Sequence, residues 1–277
     1  MRAGLVQLTA SDDPAANLPV TEGLIRQAAA GGARLVLTPE VTNMVSSNRA
    51  LQKERLRAPQ DDPTLARLRA VAAELGVWLL IGSLAVKTDD PDGRFANRSY
   101  LIADDGRIVA EYDKIHMFDV DVDAANSHRE SAGFRPGARA VVAETPWGGV
   151  GMTVCYDLRF PALHRALAER GARILTVPAA FTVPTGQAHW HVLLRARAIE
   201  TGCFVLAPAQ TGTHPAEGQG RPRMTYGHSL AVAPWGEVLA DAGDRPGVTL
   251  VDLDLAAVDQ ARARIPALTN ARAFTFD

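Results

Sequence analysis

The stretch "VGMTVCYDLRFPALHRALAERG", residues 150–171, decides the fold of this chain. Its first five residues form an apolar run typical of a buried strand, and Pro161 opens an amphipathic segment that stops at Gly171. Cys155 lies between the two. A side chain that follows a strand and precedes a helix projects at the carboxyl edge of a sheet, where open α/β sheets bind ligands. The stretch therefore predicts an α/β fold with Cys155 at a ligand site.

Strand-like and helix-like segments alternate along the rest of the chain. Apolar runs and alternating patterns predict strands at residues 2–9, 34–37, 77–81, 99–103, 108–112, 140–143, 150–154, 174–177, 204–207, 229–233, 237–239 and 248–252. Helical periodicity with caps predicts helices at residues 20–30, 63–75, 161–170 and 187–200, and a short one from residue 255. The polar, irregular stretch 113–137 is the kind of long loop that a compact domain keeps for function. Hairpins mixed with helix crossovers indicate an α/β layered sandwich.

Composition narrows the class of protein. The 277 residues are 47% hydrophobic with nothing that reads as a linker, which predicts one domain over residues 1–277. The net charge is −2 without a basic stripe, and no run is apolar enough to act as a signal peptide or to span a bilayer. These features predict a cytoplasmic protein with a small-molecule partner, and neither nucleic-acid nor membrane binding. The two cysteines, Cys155 and Cys203, are expected to be free thiols.

Cys155 has two interpretations. A cysteine at a sheet edge before a helix is placed as a nucleophile, which needs a base to take its proton and return it to a leaving group. The alternative is a buried cysteine that packs as a small apolar residue. A histidine base is a further alternative, since such partners meet only in space. His189 and His191 diverge on the predicted helix and are not expected to share a metal; no zinc-binding motif is present, so no metal is expected.

Two other residues are candidates for chemistry. Glu40 follows the apolar strand and a proline in "RLVLTPE", where partial burial is expected to raise the pKa of its carboxyl toward the range of a general base. Lys114 in "YDKIHMFDVD" begins the long loop and is placed to hold charge on a transition-state oxygen. A solvated loop glutamate and a solvated edge lysine are the alternatives.

Seven stretches, taken together, carry a resemblance. They are "LTPE" (37–40), "YDKIHMFDVD" (112–121), "RES" (129–131), "VCYDLRFP" (154–161), "PAAFTVPTGQAHW" (178–190), "LLRARAIET" (193–201) and "YGHS…PWG" (226–236). In this order they resemble the nitrilase superfamily of carbon-nitrogen hydrolases, most of all its branch of deaminated glutathione amidases and omega-amidases. The resemblance covers nearly the whole chain and favours the catalytic interpretation of Cys155.

The resemblance implies a four-layer αββα sandwich, no cofactor, and a homodimer or higher homo-oligomer. By motif it implies Cys155 as the nucleophile, Glu40 as the general base, Lys114 as the cation near the oxyanion and Glu130 as a second, positioning glutamate. The Tyr156 N–H is expected to complete the oxyanion site. Substrate contacts are expected from the residues that flank the nucleophile and the "AAFT" motif, namely Tyr156, Arg159, Phe181 and Thr182.

The substrate is less closely defined than the chemistry. The implied reaction is hydrolysis of a small carboxylate-bearing amide such as deaminated glutathione. An omega-amidase for 2-oxoglutaramate or 2-oxosuccinamate, a nitrilase, an N-carbamoyl hydrolase and a non-catalytic binding protein remain alternatives. Arg159 either binds the substrate carboxylate or forms a structural ion pair with Asp157 or another acid. Asp157 itself is expected to cap or pair locally. Ala162, His191 and Ala233 depart from the usual "FPE", "HWE" and "DPWG".

Overall fold

The computed structural model describes residues 1–121, 127–217 and 223–277. The strands of these residues are β1 (Arg2–Gln7), β2 (Leu35–Leu37), β3 (Trp78–Val86), β4 (Ala96–Ile102), β5 (Ile108–Asp113), β6 (Asp119–Asp121), β7 (Ser127–Arg129), β8 (Val141–Thr145), β9 (Gly148–Met152), β10 (Ala172–Thr176), β11 (Phe204–Ala207), β12 (Thr211–Thr213), β13 (Met224–Tyr226), β14 (Leu230–Val232), β15 (Val238–Asp241) and β16 (Gly247–Asp252). The helices are α1 (Pro14–Ala30), α2 (Arg49–Arg55), α3 (Pro63–Leu75), α4 (Pro161–Glu169), α5 (Val183–Thr201) and α6 (Ala256–Arg264). None of the described helices is long and apolar enough to cross a membrane.

Two six-stranded sheets form the centre of the molecule. The first has the strand order β16-β1-β2-β3-β4-β5 and the second the order β15-β14-β11-β10-β9-β8. The middle strands of each sheet, β1 to β3 and β9 to β11, are parallel, and the flanking strands are antiparallel. The loops that follow β2 and β9 therefore open at the carboxyl edges of parallel strands.

The two sheets pack face to face with helices outside. Leu37 and Leu80 of the first sheet and Met152 and Leu206 of the second are fully buried in one shared core. Helices α1 and α3 cover the outer face of the first sheet, and α4 and α5 cover the second. This confirms the α/β layered sandwich that the residue patterns predicted and the four-layer αββα arrangement that the family resemblance implied.

Helix predictions succeeded where local signals are strong. Helix α3 has the predicted bounds, because Asp62 caps its first turn and Gly76 ends it in a left-handed conformation. Helix α1 begins six residues earlier than predicted: Asp13 caps it, and Pro19 lies inside it. Helix α2 was missed, and the stretch 113–137 contains the short β6–β7 ribbon as well as loop.

Gly82 in β3 permits two chain segments to approach each other closely. A Cβ at this position would collide with the Thr38 carbonyl oxygen and with the Pro178 side chain. The segment that leads to Glu40 and the segment after β10 therefore meet at Gly82 because this residue has no side chain.

Candidate active site

Cys155 lies at a sharp turn directly after β9. It is the first residue of a 3₁₀ turn, Cys155–Arg159, and its backbone is in the left-handed region with φ of 51°. Such a conformation costs a residue with a Cβ about 1–3 kcal/mol and persists only where the surrounding structure enforces it. The Cys155 N–H donates to the Pro178 carbonyl at 2.9 Å, which helps to hold the turn. The thiol is 7% exposed.

Asp157 ties this turn to β5. Its buried carboxylate accepts hydrogen bonds from the Val154 N–H at 2.8 Å, the Tyr112 hydroxyl at 2.6 Å and the His116 N–H at 3.0 Å. Tyr112 and His116 lie on either side of Lys114 in sequence, so the same carboxylate positions the Lys114 segment beside Cys155. The expected local pairing of Asp157 is confirmed, and the alternative that it pairs with Arg159 is wrong.

Glu40 is buried between the two sheets. Its Oε2 accepts a hydrogen bond from the Ala180 N–H at 2.9 Å, and its Oε1 accepts from Asn97 Nδ2 at 2.8 Å and from Lys114 Nζ at 3.0 Å. The Cys155 thiol lies within hydrogen-bonding reach of the same carboxyl. Glu40 is 4% exposed, so the alternative of a solvated loop glutamate is wrong.

Lys114 bridges two glutamates. Its Nζ lies 3.0 Å from Glu40 Oε1 and 3.0 and 2.8 Å from the two oxygens of Glu130, and the side chain is 2% exposed. Glu130 also accepts a hydrogen bond from the Phe118 N–H at 2.7 Å. The structure thus brings Glu40, Lys114, Glu130 and Cys155 into one cluster, and the solvated-lysine alternative is wrong.

The charges of this cluster follow from its contacts. Burial by itself raises the pKa of Glu40, but the Lys114 charge and a hydrogen bond from Cys155 hold it below its ordinary value. The prediction that the pKa of Glu40 is raised is therefore wrong, because it considered burial without the charge of Lys114. Burial also disfavours the charged form of Lys114, yet Glu130 and Glu40 raise its pKa above the ordinary value. Burial, followed by the Glu40 charge, raises the pKa of Cys155 well above its ordinary value. The resting cluster is a neutral thiol beside a carboxylate.

Asn97 was missed by the sequence analysis. This buried residue of β4 donates from Nδ2 to Glu40 at 2.8 Å and to Glu130 at 3.3 Å, and its backbone carbonyl accepts from the Lys114 N–H. An asparagine in a strand carries no local signal of such a role. Only the pairing of β4 with β5 places it between the two glutamates.

A cavity of about 390 Å³ opens above the cluster. Cys155 and the four residues predicted to contact substrate contribute to its lining: Tyr156, Arg159, Phe181 and Thr182. Phe118, Met44 and Val45 contribute apolar side chains to the wall of the cavity. Because the first N–H groups of a helical turn have no acceptor within that turn, the Tyr156 N–H beside Cys155 is available to a ligand oxygen as far as the described residues are concerned.

The described lining of the cavity includes four arginines, Arg49, Arg129, Arg159 and Arg223. Arg129 pairs with Asp121, and Arg49 donates to backbone carbonyls. Arg159 lies with its Cζ 5.5 Å from the Phe181 ring centre and its Nη1 3.2 Å from His189 Nδ1. Arg223, which the sequence analysis missed, donates to the Ala180 carbonyl at 3.1 Å. Within the described ranges, neither Arg159 nor Arg223 forms an ion pair with a carboxylate. Both positive charges are therefore available to a ligand.

Comparison with known proteins identifies the family of this chain. Residues 2–263 match the family model for carbon-nitrogen hydrolases. The deaminated glutathione amidase of Yersinia enterocolitica is 40% identical over 269 residues, which are 97% of this chain and 92% of that protein. The structure of the Caenorhabditis elegans NitFhit protein has a TM-score of 0.88 at 33% identity, covering 98% of this chain and 65% of that one.

A third similar structure bears on the cysteine. It is a variant of the amidase from Nesterenkonia sp. AN1 with acrylamide added at its active-site cysteine, and it has a TM-score of 0.77 at 29% identity, covering 96% of this chain and 98% of that one. The match to the family model spans most of the chain, and the Yersinia enterocolitica relative spans 97% of it. This protein therefore belongs to the carbon-nitrogen hydrolase family and is a hydrolase of non-peptide carbon–nitrogen bonds.

Proposed function

We propose that this protein is an amidase that hydrolyses a small carboxylate-bearing amide, deaminated glutathione foremost, through a thioester on Cys155. The observation that carries the proposal is the buried Lys114, held by Glu40 and Glu130 beside Cys155 on the floor of the cavity. Burying three charged side chains and a thiol costs free energy that their mutual pairing offsets only in part, and such clusters are typical of functional sites. An amide needs this help, because it is a weak electrophile with a poor leaving group.

Acylation assigns separate roles to Cys155, Glu40 and Lys114. Cys155 Sγ attacks the amide carbonyl carbon while its proton moves to Glu40, so the charge that leaves the carboxylate appears on the substrate oxygen. Lys114 has three N–H donors, of which Glu40 and Glu130 each take one. The third donor and the Tyr156 N–H stabilise the oxyanion. Glu40 then gives the proton to the departing nitrogen, the C–N bond breaks, and the thioester remains.

Deacylation uses Glu40 again, first as a base and then as an acid. Glu40 takes a proton from a water molecule while the oxygen of that water attacks the thioester carbonyl carbon. Collapse of the second tetrahedral intermediate breaks the C–S bond and returns the proton from Glu40 to Cys155. Glu130 positions Lys114 and the Phe118 segment through both steps. No redox partner or cofactor is required in this scheme.

The cavity favours an anionic substrate. Arg159 and Arg223 bring two positive charges without carboxylate partners in the described part of the chain, and a guanidinium fork suits a carboxylate. Deaminated glutathione has a carboxylate on each side of its scissile amide, and relatives that match 97% of this chain are named deaminated glutathione amidases. We propose that Arg159 binds one of these carboxylates, with Phe181 and Thr182 as the adjoining wall.

A product screen tests the substrate class. The purified enzyme is offered deaminated glutathione, 2-oxoglutaramate, 2-oxosuccinamate, simple nitriles and N-carbamoyl amino acids. We expect the highest kcat/KM for deaminated glutathione, with cysteinylglycine and 2-oxoglutarate as products. Faster ammonia release from a nitrile, or carbon dioxide release from a carbamoyl compound, would contradict the proposal. Absence of turnover on every compound would favour a binding protein.

We also propose that residues 1–277 act as one catalytic domain in the cytoplasm and that the chain forms at least a homodimer. The free thiols Cys155 and Cys203 support a reducing compartment. Val192 and Ile199 on α5 are 68% and 53% exposed, and Phe276 in the tail is 91% exposed. The tail end therefore does not dock on its own subunit, which favours a partner subunit as its site. Light scattering that gives a monomer mass at micromolar concentration would contradict the dimer.

A further inference from the structure

Three metal-ligating side chains converge beside helix α5, outside the lining of the Cys155 cavity. His191 on α5 places Nε2 2.8 Å from Asp241 Oδ2, and His228 before β14 places Nδ1 2.9 Å from Oδ1 and 3.1 Å from Oδ2 of the same carboxylate. The three side chains offer ligand atoms that all lie within 4.8 Å of one another. They come from three separate elements of the second sheet and its covering helix.

The backbone around the cluster is held in place. His228 is in the left-handed region with φ of 55°, one of the few residues other than glycine in that region. Its N–H donates to the Gly243 carbonyl at 2.6 Å, and its carbonyl accepts from Trp190 Nε1 at 2.8 Å. Asp241 in turn accepts from the Gly243 N–H at 2.9 Å. An imidazole kept in a strained backbone conformation by hydrogen bonds on both sides is a preorganised ligand.

Aromatic packing orients the two imidazoles. The Tyr226 ring stacks on His228 with centres 4.4 Å apart, and it meets His191 edge-on at 6.3 Å. The side chains of His191, His228 and Asp241 are 33%, 27% and 32% exposed. The rings are therefore fixed, while one side of the cluster stays open to solvent and to further water ligands.

We propose that His191, His228 and Asp241 form a binding site for a divalent transition-metal cation of the Zn²⁺ class. Two ligands of a tetrahedral Zn²⁺ with bonds of about 2.1 Å lie about 3.4 Å apart. The distances of 2.8 and 3.1 Å from Asp241 Oδ2 to the two imidazole nitrogens are a few tenths of an ångström shorter, so small side-chain rotations bring the ligand atoms to that spacing. Two imidazoles and one carboxylate suit Zn²⁺, Ni²⁺ or Fe²⁺, whereas Mg²⁺ and Ca²⁺ prefer an all-oxygen set.

The expected effect of the metal is structural. His191 lies on α5, and Asp241 is the last residue of β15. Asp241 pairs with Leu230, the first residue of β14, which follows His228 closely in the chain. A metal at this point clamps the helix that covers the second sheet onto the edge strands of that sheet. Because binding to the folded chain alone shifts the unfolding equilibrium, Zn²⁺ should raise the melting temperature. The site does not depend on the proposed amidase function.

The experiment titrates Zn²⁺ into the untagged full-length chain, stripped with EDTA, in a Cys155→Ala background that removes the accessible thiol. We expect calorimetry to give one saturable site per chain, with a rise in melting temperature. His191→Gln and Asp241→Asn should weaken Zn²⁺ binding by about 10–100-fold. His189→Gln, two residues away on the same helix and exposed, is the matched control and should bind as the parent does. Absence of saturable binding, or equal affinity in His191→Gln and His189→Gln, overturns the proposal.

A spectroscopic arm identifies the ligands without activity. Co²⁺ in place of Zn²⁺ should give visible absorption bands of a nitrogen- and oxygen-ligated ion. His228→Asn should abolish the bands, and asparagine tolerates the left-handed backbone at this position better than most residues other than glycine do. Far-UV circular dichroism of the metal-free variant checks that it is folded. Bands that persist in a folded His228→Asn variant would place Co²⁺ elsewhere and overturn the proposal.

Discussion

Lys114 Nζ and Glu40 Oε1 lie 3.0 Å apart, with only 2% and 5% of their side chains exposed. A buried ion pair of this kind adds little net stability, but removal of one partner leaves an uncompensated charge. Replacing either residue should therefore lower both the catalytic rate and the free energy of unfolding. The pair also sets the protonation of the site, because Lys114 keeps Glu40 ionised beside the neutral Cys155 thiol.

Replacement of the nucleophile is the first test. Cys155→Ala should reduce turnover below detection with the fold intact, because no other group near the cluster can form the thioester. Mass spectrometry of the parent enzyme with a slow substrate should show an acyl adduct on the peptide that contains Cys155. Cys203→Ala is the matched control: this thiol is buried and donates to the Ala172 carbonyl, so activity should persist. An adduct on Cys203, or an active Cys155→Ala enzyme, would contradict the assignment.

Removal of the buried cation should affect both rate and stability. Lys114→Met should lower kcat by about 10²–10³-fold or more with a smaller change in KM, because the charge is needed mainly in the transition state. The same variant should lose about 3–5 kcal/mol of folding free energy, since two glutamates lose their partner. Steady-state kinetics and urea denaturation measure the two effects. Lys53→Met, an exposed residue of α2, should change neither. Near-normal kcat in Lys114→Met would refute its role.

Asn97 is expected to act through Glu40. Asn97→Ala removes a 2.8 Å hydrogen bond to the Glu40 carboxylate, so the pKa of Glu40 should rise and the acidic limb of kcat/KM should move to higher pH. We expect kcat to fall by about tenfold, the scale of one charge-assisted hydrogen bond. Asn48→Ala removes the exposed cap of α2 and should leave the pH profile unchanged. An unshifted acidic limb in Asn97→Ala would reduce this residue to a packing role.

Arg159 is tested with paired substrates. Arg159→Lys should raise KM for carboxylate-bearing amides by about tenfold through loss of the guanidinium fork, while neutral amides are unaffected. Arg223→Lys, compared in the same way, shows whether the second arginine contributes. Arg165→Lys on the surface of α4 is the control, and its ion pair with Glu169 lies away from the cavity. Equal loss on charged and neutral amides, with a lower melting temperature, would make Arg159 structural.

The pH dependence of activity follows from Glu40. Because the pKa of this carboxyl is held below its ordinary 4.5, it stays an ionised base down to and below that pH. A carboxyl with a depressed folded-state pKa stabilises the fold above its unfolded pKa, and this contribution is lost as the pH falls through the folded value. We therefore expect both kcat/KM and stability to decline only below about pH 4.5. The checks are a rate profile and thermal melts; an acidic limb near pH 6 would contradict the ionised state.

Much of the fold was predictable from local chemistry. Helix α3 was predicted with its exact bounds because an Asp62 cap and a Gly76 stop act within a few residues. The strand at Phe204–Ala207 was likewise exact, because its apolar run ends at a proline. Helix α1 was predicted too short, since Pro19 inside it is a local signal against helix that tertiary packing overrides.

The sequence by itself determined which residues are candidates for the site: a cysteine at the turn after a strand and the glutamate and lysine motifs carry the family resemblance, which implied the αββα sandwich and the proposed chemistry. Only the tertiary structure decided the charge state of Glu40, the bridging role of Asn97, the place of Arg223 in the cavity lining and the meeting of His191 with His228 and Asp241. These depend on residues tens to hundreds of positions apart that are brought within about 3 Å. Burial and charge pairing are properties of that arrangement, and no local pattern encodes them.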